Sequence, residues 1–196
     1  LNFVTTPLPG AFLVEIDRRE DQRGFFARLW CRNEFAAHGV AIDMVQASMS
    51  HNVIAGTLRG MHFQWPPSRE AKLVRCEHGR VHDVIVDLRP ESATFMQHFA
   101  VTLDGHNRSA LYIPPGFAHG FQTLQDNTDV VYMMSDFHRP DLADGVRFDD
   151  PAFGIRWPSP ITCIADRDRS YPNFEPAVYA GRLARAVERA MGVSSV

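Results

Sequence analysis

The segment Gly56-Thr57-Leu58-Arg59-Gly60-Met61-His62-Phe63-Gln64 sets a permanent cation, Arg59, and a titratable imidazole, His62, among glycines. Histidine, with an unperturbed pKa of ~6.5, takes up or releases a proton near neutral pH, and a guanidinium holds an anion. A second cluster, Pro114-Pro115-Gly116-Phe117-Ala118-His119-Gly120, again places a histidine among glycines. The two segments read as the floor of one pocket. In a regular strand His62 and Gln64 point one way and Arg59 the other. For Arg59 and His62 to meet one ligand, Gly56 or Gly60 must mark a bulge or twist.

Other residues fill out an acid–base set. A base needs a carboxylate to orient it, and Asp83, Asp166 and Asp168 are candidates. Tyr132 is a candidate acid, because a phenol of pKa ~10 can still return a proton to a strongly basic enolate. Lys72 and Arg59 can stabilise an oxyanion or a phosphate. Each residue type alone more often has a structural or solvated role; the set is what points to chemistry.

The elements that must position these groups read mainly as strands. Phe12–Ile16, Phe25–Trp30, Met44–Ser50, Gly56–Gln64, Ala71–Cys76, Val81–Leu88, Phe99–Leu103, Ala110–Ile113, Ala118–Leu124 and Asp129–Met134 are short apolar runs between Gly, Pro and Asn turns. That spacing predicts an antiparallel sandwich or barrel. In Val81–Leu88, Val81, Asp83, Ile85 and Asp87 share one face. Asn33 is a candidate cap for a short helix over Glu34–Ala37 that ends at Gly39. His138–Trp157 reads as an ordered wrap, Glu175–Met191 as an amphipathic helix, and Ser194-Ser195-Val196 as a fraying end.

The 196 residues are read as one domain, with core strands over about 12–137 and a C-terminal wrap and helix over about 138–192. Apolar content of 45% and charged content of 22% suit a globular protein, and a net charge of -3 gives no case for nucleic acid or an anionic membrane. No apolar run approaches the ~20 residues of a membrane span, and no secretory signal is visible. Three cysteines without CxxC spacing fit free thiols in a reducing compartment, hence a cytoplasmic location.

Gly56, His62 and Glu70, followed by Pro114, Gly116 and His119, resemble the metal-binding pattern of the cupin superfamily, but Gln64 stands where a second histidine belongs. His62, His119 and Glu70 alone are a poor set for a divalent metal. A metal-dependent oxygenase or sugar isomerase therefore stands as the alternative reading, beside a non-catalytic sugar-binding module.

A longer set of motifs is more specific. Arg23-Gly24-Phe25-Phe26, Leu58–Gln64, Lys72-Leu73-Val74-Arg75-Cys76, Asp83–Arg89, Ile113–Phe121 and Ile155-Arg156-Trp157-Pro158 follow the order of the dTDP-4-dehydrorhamnose 3,5-epimerase family. The resemblance spans roughly residues 3 to 172. It implies a jelly-roll cupin acting as a homodimer, without metal or cofactor, on nucleotide-linked 4-keto-6-deoxyhexoses. It also implies that His62 is the base, Tyr132 the acid, Asp168 the carboxylate orienting His62, and Lys72 the cation at O4. Arg23, Gln46, Ser48, Arg59, Lys72, His119 and Arg167 fall at substrate-binding positions.

The chain departs from the family at several of these motifs. Arg28 replaces a glutamate, Ala47-Ser48 replaces Asp-Asn, Met133 replaces a lysine, Ala143 aligns with a glutamate, and Phe137-His138 stands at an aromatic pair. Retained enolisation with an altered substrate is the expectation, because Arg28 removes an acceptor for the thymine ring N–H. An exposed edge strand near the N-terminus is the expected dimer contact.

Overall fold

The computed structural model describes residues 1–192; the fraying expected at Ser194-Ser195-Val196 lies outside the described residues. Two sheets carry the fold. The first has the spatial order β1 (Asn2–Thr5), β2 (Phe12–Glu15), β10 (Ala110–Ile113), β7 (Lys72–His78), β12 (Thr128–Met134) and β5 (Gln46–Asn52). The second has the order β13 (Ala143–Gly145), β6 (Thr57–Gln64), β11 (Phe117–Thr123), β8 (Arg80–Asp87) and β9 (His98–Asp104). The short β14 (Cys163–Ile164) lies parallel to the start of β6. Strands distant in sequence sit side by side, as β10 does between β2 and β7, which makes the architecture a jelly roll. A separate exposed hairpin joins β3 (Arg18–Asp21) to β4 (Gly24–Ala27).

Alternation along the strands explains why the sheets close on each other. Val81 and Ile85 of β8 meet Val74 and Cys76 of β7, Leu111 and Ile113 of β10, and Phe117 and Phe121 of β11 in the central core. Asp83 shares that inner face and is fully buried, so the sequence pattern places a carboxylate in the interior. The other face of β8, Val84 and Val86, packs with Met61 and Phe63 of β6 under the helix α3 (Pro176–Ala190), through Tyr179 and Leu183. A third cluster on the outer side of the first sheet seats Phe35 of α1 (Arg32–Ala37) against Leu73 and Tyr112.

The strand cores match the expectation, and several boundaries move. The helix begins one residue before Asn33, so Cys31 takes the N-cap position and Asn33 makes no cap. The strand expected over Phe25–Trp30 stops at Ala27, and β3 precedes it. Within the expected wrap the chain forms β13, and beyond it β14 and the short helix α2 (Asp166–Arg169). No described helix is long and apolar enough to cross a membrane.

Candidate active site

β6 and β11 run antiparallel at the centre of the second sheet, and their pairing builds the floor of the pocket. His62 is the cross-strand partner of His119, yet Arg59 is the partner of Phe121. Two residues of β6, Gly60 and Met61, therefore oppose the single Gly120, which is a β-bulge. The bulge resets the alternation. Met61 turns into the outer core, while Arg59 and His62 both line the pocket. Gly60 has φ +130°, and a Cβ there would lie 2.5 Å from the Cα of Gly120. Only glycine on both strands allows this approach.

His62 is held from behind. Its Nε2–H donates to Oδ1 of Asp168 at 2.7 Å, and the other carboxylate oxygen accepts the Gly60 N–H at 3.1 Å. A carboxylate can only accept, so the proton sits on Nε2 and Nδ1 keeps the lone pair a base needs. Asp168 reaches this place because β14 docks along β6 and hands the chain directly into α2. Burial pushes the Asp168 carboxyl up. The hydrogen bond and charge of His62, the Gly60 N–H and Arg167 outweigh that, and the carboxyl titrates below its ordinary range. Asp168 is thus an ion at neutral pH and suited to stabilise an imidazolium.

The other two candidate carboxylates go elsewhere. Asp83 pairs with His119, whose Nε2 lies 3.1 and 3.0 Å from its two oxygens, both residues being buried. Asp166 is exposed in the first turn of α2. Of the metal-pattern residues, His62 and His119 each turn Nε2 to an aspartate, and Glu70 faces Lys72 Nζ at 3.2 Å. Gln64 ties the pocket rim together: its amide donates to Ser68 Oγ and the Phe137 carbonyl, and its oxygen accepts from Arg139 N–H.

Tyr132 stands on the facing sheet, on β12, and lines the same cavity of about 420 Å³ as His62. Its ring meets His119 edge-on at 6.2 Å and tilts against Phe121 at 6.3 Å. Burial pushes the phenol well above its ordinary pKa, with the Ser50 hydroxyl beside it opposing the shift only in part. Tyr132 therefore keeps its proton at neutral pH. His62 and Tyr132 approach the cavity from opposite sheets, an arrangement that can serve removal and return of a proton on opposite faces of one carbon.

Lys72, Gln46, Ser48, Arg59, His119 and Arg167 all line this cavity too. Arg59 Nε is fixed to Asn52 Oδ1 at 2.8 Å, and Arg167 is held by Tyr171 Oη and the Ala143 carbonyl. Arg23 does not join them. It sits at the tip of the β3–β4 hairpin, exposed and paired with Asp21 at 2.6 Å, because that hairpin forms its own two-stranded sheet, joined by strand pairing to neither sheet of the pocket. Arg28 is likewise outside, paired with Glu34 at 2.5 Å. Sequence reasoning passed over Ser50. It follows Gln46 and Ser48 at the strand period of two, a signal sufficient to place it on the pocket face.

Comparison with known proteins agrees with this geometry. The family model described as dTDP-4-dehydrorhamnose 3,5-epimerase matches residues 5–176. A dTDP-4-dehydrorhamnose 3,5-epimerase of Methanothermobacter thermautotrophicus is 38% identical over 181 residues, covering 90% of this chain and 97% of the relative. The structure of the Bacillus anthracis dTDP-4-dehydrorhamnose 3,5-epimerase with TDP and PPi bound superposes with a TM-score of 0.85 at 36% identity, covering 88% of this chain and 99% of that one. The Mycobacterium tuberculosis epimerase gives 0.86 at 32%, covering 97% and 100%. With the motifs in order and the fold shared over nearly its whole length, the chain belongs to the dTDP-4-dehydrorhamnose 3,5-epimerase family, whose members are isomerases.

Proposed function

We propose that the protein inverts C3, C5 or both of a nucleotide-linked 4-keto-6-deoxyhexose through an enolate, without a cofactor, as a cytoplasmic homodimer. The reading rests on one observation: His62 on one sheet, backed by Asp168, and Tyr132 on the facing sheet line a single cavity. The C4 ketone acidifies the neighbouring C–H bonds. His62 Nδ1 removes a proton from one face, and the C–H electron pair moves into the enolate. Lys72 and Arg59 offer positive charge to O4 and the diphosphate. The phenol of Tyr132 then gives its proton to the opposite face, inverting the centre.

Incubation in heavy water with nucleotide-linked 4-keto-6-deoxyhexoses tests this reading. Deuterium at C3 or C5, followed by NMR, is the expected result and names the centre. His62→Asn should lower exchange by about 10²–10⁴-fold, the usual worth of a general base. Tyr132→Phe should spare exchange in part and suppress inversion. Full activity in both variants would end the mechanism. Arg28 lies outside this cavity in one chain, so binding of several nucleoside diphosphates tests the altered base preference directly: clear preference for the thymidine nucleotide would sink it.

The homodimer has its own support. β5 is both an edge of the first sheet and a wall of the pocket, and it carries Met49, 66% exposed. A second copy seated there closes the pocket mouth, and gives Arg23 a binding role that its place in one chain does not. The three cysteines are all free, which fits a reducing compartment. Sedimentation equilibrium should return twice the chain mass, and Met49→Asp should shift it toward the monomer.

A further inference from the structure

Helix α3 begins where the match to the family model ends, at residue 176. Tyr179, Leu183 and Ala186 of the helix pack in the outer core, while Val178 and Val187 stay exposed. Arg182 makes contacts of a different kind. Its guanidinium lies over the indole of Trp65, 4.7 Å from the ring centroid, and its Nη2 donates to Oδ2 of Asp144 at 2.7 Å. Trp65 Nε1–H donates to the same oxygen at 2.8 Å. Asp144 is a residue of the pocket wall.

Asp144 sits in the middle of β13, a strand of three residues on the outer edge of β6. Its pairing partners there are Gln64, Phe63 and His62, so β13 flanks the strand that carries the base. So short an edge strand has few ladder bonds of its own and needs outside anchors. One is Arg167, which donates to the Ala143 carbonyl at 3.1 Å. Another, beside the backbone bonds of Leu142 and Val146 that flank the strand, is the Arg182–Asp144–Trp65 triangle. A cation stacked on an aromatic face while donating to a carboxylate is held in direction as well as in place.

We infer that Arg182 is a positioning residue for substrate binding: through Asp144 it lets the C-terminal helix fix the β13 wall of the pocket beside His62. The inference rests on the epimerase reading for its kinetic arm only. Arg182 touches no reacting atom, so its loss acts on KM and leaves the proton transfers intact.

Arg182→Ala and Arg182→Lys test it, with Asp144→Asn as partner. Arg182→Ala should raise KM for the nucleotide sugar about fivefold, the size expected for a partly exposed ion pair with a cation–π contact, with kcat nearly unchanged. Arg182→Lys should recover most of the loss, and Arg182→Ala should add little to Asp144→Asn. Independently of substrate, hydrogen–deuterium exchange should quicken over β13 in Arg182→Ala and stay unchanged in the central strands. Unaltered KM with unaltered β13 exchange overturns the inference, as does a fall in kcat that merely follows a fall in melting temperature. Should the wild type fail to turn over any nucleotide sugar, the functional reading falls, and the exchange arm still decides the anchoring.

Discussion

At the scale of single residues, His62, the proposed proton acceptor, depends on Asp168 for its orientation. His62 is exposed to the cavity, with 42% of its side chain accessible, while Asp168 is buried at 6%. Asp168→Asn keeps the shape but offers an amide that can also donate to Nε2, which would move the ring proton to Nδ1 and remove the lone pair from the substrate side. We expect deuterium exchange to fall about a hundredfold or more while substrate still binds, measured as a loss in kcat at little-changed KM. Ionised Asp168, Tyr132 and the pocket arginines were legible as residue types in the sequence. Residue type alone did not say which aspartate serves His62, because Asp83, Asp166 and Asp168 differ only in where the fold delivers them; the family motif singled out Asp168, and the hydrogen bond to His62 agrees. Arg23 shows the converse: the motif places it in the family's binding set, while the chain's own path carries it to an exposed tip.

At the scale of elements, the β6 bulge is the feature that makes the site. Strict alternation would separate Arg59 from His62, and the glycines at 56 and 60 were the only sequence sign that alternation breaks. Gly60→Ala would drive a methyl into the backbone of β11 at an unfavourable φ. We expect it to cost about 2–4 kcal/mol in urea unfolding and to abolish exchange, because β6 and β11 must part to admit it. The same scale shows where sequence reading thins out. Long apolar strands such as β8, buried on both faces, announced themselves by composition and by the turns that bound them. β3 is exposed at every position, and β13 and β14 are too short to carry a period, so nothing in their composition marked them as strands. Yet β14 and α2 deliver Asp168, and β13 walls the pocket.

At the scale of the whole molecule, packing governs titration. The chain has four tyrosines. Burial raises all of them: Tyr112 to about 12, and Tyr132, Tyr171 and Tyr179 also above their ordinary value. A folded pKa above the unfolded value of ~10 means the native state holds its phenolic protons more tightly. That contribution to stability is complete below pH ~10 and is lost as pH rises through the folded values. Alkaline titration should therefore show little phenolate absorbance near pH ~10, then a joint rise of phenolate signal and loss of native circular dichroism. A separate phenolate step at the ordinary pKa in the native protein would contradict this burial.

The two-sheet arrangement carries one more consequence. His62, the proposed proton acceptor, and Tyr132, the proposed donor, belong to different layers, so the gap between them is a layer spacing, roughly 10 Å between sheets less the two side chains. Phe121 packs in the central core and against the Tyr132 ring, and acts as a spacer. The fraction of enolates quenched on the far face rather than the near one is then a gauge of sandwich thickness. Core volume, usually a matter of stability, becomes a stereochemical variable here: Phe121→Leu should alter the ratio of inverted to retained product before it alters the rate at which the C–H bond opens.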